Sequence, residues 1–121
     1  MTKVKLQETG NLLKFQIKEK PLSVNRAWQG KRFKTQEYKD YEELLLFTLP
    51  KHKTPEGKLH LTIEFGFSNM ASDIDNPIKP LLDIMQKRYG FNDKQIYKLT
   101  VEKKKVKKGD EYTKVVIDKY I

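Results

Sequence analysis

The chain has 121 residues, 37% of them hydrophobic and 34% charged, and no cysteine, which excludes disulfides, thiol nucleophiles and zinc–thiolate sites. Its length suits one domain over residues 1–121, with a core small enough that pairing with a second copy would bury more surface. Lys and Arg total 25 against 16 Asp and Glu, a net charge of +9, and a field of that sign attracts polyanions, nucleic acid first among them.

Leu13, Phe15 and Ile17 alternate with Lys14, Gln16 and Lys18, which predicts a half-buried strand. Pro21 to Asn25 breaks the pattern as a turn or loop. Thr35 is a plausible N-cap for a first helix, with Tyr38, Tyr41, Leu45 and Leu49 near helical spacing and Pro50 as its stop. After a polar loop, Leu59, Leu61, Ile63, Phe65 and Phe67 alternate with His60, Thr62, Glu64 and Gly66. Period two over that length predicts a strand with one face in the core. Asn76 as N-cap and Pro77 at the first helical position open a second helix, with Ile78, Leu81, Leu82, Met85 and Tyr89 as its apolar stripe and Gly90 as its end. Tyr97, Leu99 and Val101 alternate again; Lys107 to Asp110 reads as a hairpin turn, and Val115 and Ile117 belong to a closing strand. The order β-α-β-α-β-β predicts an α+β fold with a small mixed sheet and two helices. The N-terminus lacks the apolar run of a signal peptide. No stretch approaches the roughly 20 apolar residues that span a bilayer, and no long basic amphipathic helix is visible. A cytoplasmic protein with no membrane partner is expected.

The chemistry concentrates at Asp73-Ile74-Asp75-Asn76. In an extended segment, residues two apart point the same way, so both carboxylates project together. Their repulsion is relieved by a hard divalent cation, and Mg²⁺ takes one or two carboxylates plus waters and phosphate oxygens. Asp93 follows the second helix and could return to the same place. Lys79, on the first turn of that helix, could face a metal-held phosphate beside the positive end of the helix dipole. Acids for a metal, a lysine and a helix N-terminus are the parts of phosphodiester hydrolysis. A lone DxD is more often a turn and a helix cap, since Asp and Asn bond neighbouring backbone. Followed by Lys, a helix and a further Asp, it is far rarer.

The run from Asp73 to Asp83 resembles the DxDNxxKxxxD core of the RusA endodeoxyribonucleases. Asn92-Asp93-Lys94-Gln95-Ile96 resembles the family's acidic pair and Gln-Ile. Pro21-Leu22-Ser23-Val24-Asn25-Arg26-Ala27-Trp28, followed by Tyr38 and Tyr41, resembles its early motif. The resemblance implies resolution of four-way DNA junctions by paired nicks, a Mg²⁺ requirement, a homodimer and no small-molecule cofactor. It carries three metal-site acids onto Asp73, Asp75 and Asp93, and the essential lysine onto Lys79. Three departures stand out: Asn92 replaces the first acid of the pair, the segment from Asp83 to Asp93 is one residue shorter than in the best-known member, and Ser72 stands where a basic residue often precedes the DxD.

Other residues admit two readings. Asp83, four after Lys79, is read first as an intrahelical ion-pair partner. Asn25, Arg26, Trp28, Arg32 and Lys34 are candidate DNA contacts, with Trp28 as a core anchor the plainer alternative. The lysines from Lys103 to Lys108 are either a solvated face or a backbone-binding patch. Glu64 is a minor candidate ligand, and His52 and His60 lack the spacing of a metal pair. Two rival functions remain: a nuclease using Asp93, Glu102 and Lys104, and a non-catalytic basic nucleic-acid-binding module.

Overall fold

The computed structural model describes residues 4–6, 12–22, 28–29, 33–71 and 73–121, with the backbone alone at 4–6, 28–29 and 33. Its strands are β1 (Val4–Leu6), β2 (Leu13–Ile17), β3 (Trp28–Gln29), β4 (Phe33–Lys34), β5 (Leu59–Phe67), β6 (Ile96–Lys105) and β7 (Tyr112–Lys119). Two helices, α1 (Gln36–Thr48) and α2 (Ile78–Tyr89), complete the fold with a short 3-10 turn at Asp93–Gln95. Apart from the short β1 and the β3–β4 ribbon, the chain order is the α+β succession expected from the sequence.

Five strands form a mixed sheet in the order β1-β2-β7-β5-β6. β5 is an interior strand, flanked by β7 and β6, and its alternation puts Leu59, Leu61, Ile63, Phe65 and Phe67 in the core. It pairs antiparallel with β7 and parallel with β6. The parallel pair needs a crossover, and α2 supplies it. Leu13, Phe15 and Ile17 of β2 and Val115 and Ile117 of β7 continue the same apolar face. Tyr38 and Leu45 of α1 and Leu81, Ile84 and Met85 of α2 cover it, so both helices lie on one side of the sheet.

Two local expectations are corrected. Lys107 to Asp110 does turn, with Asp110 N donating to Lys107 O at 2.9 Å, but it closes no hairpin. β6 and β7 flank β5 on opposite sides, and the link between them passes the end of that strand. Asn76 is not the N-cap of α2; Pro77 holds that position without a side-chain cap, and the Ile78 amide instead donates to Asp75 O at 3.2 Å. Thr35 does cap α1, its Oγ1 accepting from Tyr38 N at 3.1 Å. Gly90 closes α2 in the left-handed region at φ 78°, which a residue with a Cβ adopts only under strain. Among the described residues, no helix is long and apolar enough to cross a membrane.

Candidate active site

The segment after β5 carries the DxD motif. Asn69 Oδ1 accepts from Ala71 N at 2.9 Å, a local turn that asparagine favours. Residues 74–77 form a further turn, so the extended backbone expected across Asp73 and Asp75 is not observed. Both side chains are nonetheless exposed at the N-terminal end of α2. Among the described residues neither carboxylate forms an ion pair; Asn76 Nδ2 stands 3.5 Å from Asp73 Oδ2. Lys103 Nζ donates to Met70 O at 3.2 Å, and Ser68 Oγ donates to Glu111 at 2.8 Å, so β6 and the β6–β7 link hold the segment. The Ser68 hydrogen bond, foremost, keeps the Glu111 carboxyl below its ordinary range.

Asp73 also lines a cleft of about 490 Å³ between this segment, the exit of β2 and α1. Glu19, Glu37, Asp40 and Glu111 share its walls with Lys20. A carboxylate-rich hollow on a chain of net charge +9 concentrates negative charge beside the DxD turn.

Lys79 lies one turn into α2, and its Nζ contacts Asp83 Oδ1 at 3.0 Å. This is the intrahelical ion pair expected from the spacing. With 63% of its side chain exposed, Lys79 exchanges that partner at little cost.

Asp93 is elsewhere. α2 rises about 18 Å over its 12 residues, and β5 runs about 30 Å over its nine. Asp73 and Asp75 follow the Phe67 end of β5, whereas the turn at Asp93 precedes Ile96, which pairs with Leu59 at the other end. The chain therefore does not bring the third acid back to the first two. No group of three or more Asp, Glu or His side chains gathers as a metal site among the described residues. Asp93 is held firmly where it is. Its N–H donates to Gln86 Oε1 at 2.8 Å. Asn92 and Gln95 form a capping box around it, and Gln95 Nε2 donates to Pro55 O at 3.2 Å and Gly57 O at 2.9 Å. Asn92, the departure from the family's acidic pair, is thus the cap of this turn. The positioning roles of Gln86 and Gln95 were not drawn from the sequence, although Asn-x-x-Gln is a capping-box spacing.

The rival acids do not assemble either. Lys104 pairs with Glu64 at 3.2 Å, across the sheet face that no helix covers. Tyr112 donates to the other Glu64 oxygen at 2.5 Å, so Glu64 turns away from the DxD segment. His60 Nε2 lies 3.0 Å from Thr100 Oγ1 on that face. Of the candidate DNA contacts, Asn25, Arg26 and Arg32 lie outside the described residues, as does the side chain of Trp28. Lys34 Nζ is bound to Glu42 at 3.1 Å and sits 4.9 Å from the Tyr38 ring centre. Lys87 reaches the same glutamate at 3.3 Å.

A mixed sheet with helices on one side therefore sets exposed carboxylates beside a lysine at a helix N-terminus. Residues 16–118 match the family described as endodeoxyribonuclease RusA. The chain belongs to that family. No curated protein matches it.

Proposed function

We infer that this protein is a Mg²⁺-dependent, structure-specific endodeoxyribonuclease. It resolves four-way junctions by paired, symmetric nicks, as a homodimer serving DNA recombination and repair. The observation that carries this reading is the exposed Asp73–Asp75 pair, without an ion pair among the described residues, beside Lys79 in a RusA-family protein of net charge +9.

The donor set fits magnesium. Two oxygen-only carboxylates on an accessible turn match an ion that takes one or two carboxylates and leaves its other positions to water and phosphate. When bound, Mg²⁺ supplies a polarised phosphoryl oxygen and water of lowered pKa. Asp73 and Asp75 hold the charge that recruits it, and Lys79 Nζ offsets negative charge on the transferring phosphate. The uncapped N-terminus of α2 adds to this positive field.

Asp93 enters the site only through a second copy, since its own chain holds it at the opposite end of α2 and β5. A two-fold dimer joining the Asp93 end of one copy to the DxD end of the other forms two such sites. Two sites related by a two-fold axis face two opposed strands of a junction, so paired nicks follow from geometry.

Cleavage of a labelled four-way junction and its matching duplex, with Mg²⁺ and with EDTA, tests the reading. Metal-dependent nicks confined to the junction are expected. Asp75→Asn should lose at least about 100-fold in rate, because even outer-shell changes at metal sites cost 10–100-fold. Salt-sensitive binding without cleavage under any divalent metal would favour the non-catalytic module instead.

A further inference from the structure

We propose that the cleft between residues 52–58 and the end of β7 holds an unpaired nucleotide of a DNA strand, its base on the exposed rings of Tyr120 and Tyr97 and its phosphates on Lys53, Lys58 and Lys119. The inference rests on the nuclease reading only for the choice of DNA, and it names where a strand opened at the junction is held.

The cleft measures about 750 Å³ and lies at the Leu59 end of the sheet, where Ile96 and Lys119 pair with that residue. Lys53, Lys58, Lys119 and Tyr120 line it, and Glu56 is the acid on its wall. The three lysines are exposed and form no ion pair among the described residues. Cations in that excess attract an anion, the reverse of the carboxylate-rich hollow beside Asp73.

The aromatic half of the site adjoins the lysines. Tyr120 is 42% and Tyr97 57% exposed, with ring centres 5.6 Å apart. Lys58 Nζ sits 5.0 Å from the centre of the Tyr97 ring, so cation and rings form one surface. Tyr120 N donates to Lys58 O at 2.9 Å, which fixes the end of β7 against the loop. Exposed rings beside lysines are the two parts of single-strand binding: bases stack on the rings while the cations follow the backbone. A duplex engages the lysines alone, because its bases already stack on one another.

The cleft also has a fixed relation to the candidate site. Pro55 and Gly57, on its wall, accept from Gln95 Nε2, and Gln95 belongs to the turn that carries Asp93. A strand seated on Tyr120 is therefore held by the same loop that braces Asp93.

Fluorescence anisotropy in EDTA keeps metal-dependent cutting out of the readout. Wild type should bind a short labelled oligo(dT). Tyr120→Leu should weaken that binding about tenfold and change affinity for a labelled duplex by less than about twofold. Tyr120→Phe, which keeps the ring, should bind as wild type does. Lys119→Gln should lower the slope of log Kd against log salt concentration by about 0.7 on the oligonucleotide. Lys108→Gln removes the same charge beyond the Phe67 end of the sheet and should leave that slope unchanged. Equal losses on oligonucleotide and duplex, or unaltered affinity in Tyr120→Leu, would overturn the inference. So would a change of mass on light scattering, which would mark the rings as a subunit contact. A wild type that cuts junctions yet ignores oligo(dT) would overturn the cleft and leave the nuclease reading standing. Oligonucleotide binding through Tyr120 in a protein that never cuts a junction would uphold the cleft and count against the nuclease reading alone.

Discussion

Glu64, Tyr112 and Lys104 show how a charged group is kept on a strand. The Tyr112 hydroxyl, foremost, and Lys104 hold the Glu64 carboxyl below its ordinary range, against the desolvation that would raise it. Burial and the Glu64 charge push the Tyr112 hydroxyl up to about 12. Tyr112 therefore stays a donor at every physiological pH. For a depressed carboxyl, the stabilisation is present above the unfolded value near 4.5 and is lost as pH falls through the folded value. The melting temperature of Glu64→Gln should thus lie below wild type at pH 7, and the gap should narrow as the pH falls below the unfolded value. A gap that persisted in acid would contradict this linkage. Gly66 makes the arrangement possible: an added Cβ would fall 2.3 Å from a Tyr112 ring carbon, so Gly66→Ala should displace the ring and cost about 1–3 kcal/mol in chemical denaturation. Lys79→Ala is expected to act differently. Its exposed ion pair with Asp83 is worth only a few tenths of a kcal/mol, while loss of a charge stabiliser at a reacting phosphate lowers kcat about 10²–10³-fold. Wild-type rates in that variant would remove Lys79 from the chemistry.

At the scale of elements, the helices and β5 were legible because each rests on local rules. Thr35 caps α1 as read, and Thr35→Ala should cost about 1 kcal/mol. Of the apolar stripe read for α2, Leu81, Met85 and Tyr89 are buried while Ile78 and Leu82 are half-buried and the unread Ile84 is buried too, and Leu81→Ala, at a fully buried position, should cost about 2–5 kcal/mol in urea unfolding. The false hairpin at Lys107–Asp110 arose because a turn signal specifies a reversal, not which strands become neighbours. The α2 crossover had already placed β6 on the far side of β5. The DxD segment was misread as extended because the period-two rule was carried past Phe67, where Asn69 and Pro77 impose turns instead.

For the whole molecule, the DxDNxxK motif and the charge balance were legible, and the family match agrees with them. The place of Asp93 was not, because spacing along a chain cannot tell whether a helix returns an acid to its start or strands it at the far end. The positive field should make junction affinity fall steeply with salt, log Kd rising linearly with log salt concentration in filter binding. Subunit mixing tests most directly whether Asp73 and Asp75 of one copy work with Asp93 of another. Asp75→Asn and Asp93→Asn proteins should each be inactive on a four-way junction. Mixed, they should regain nicking, because one of the two sites in each heterodimer then has all its acids intact. Persistent inactivity of the mixture, with heterodimers shown to form, would contradict a shared site and return all three acids to a single chain.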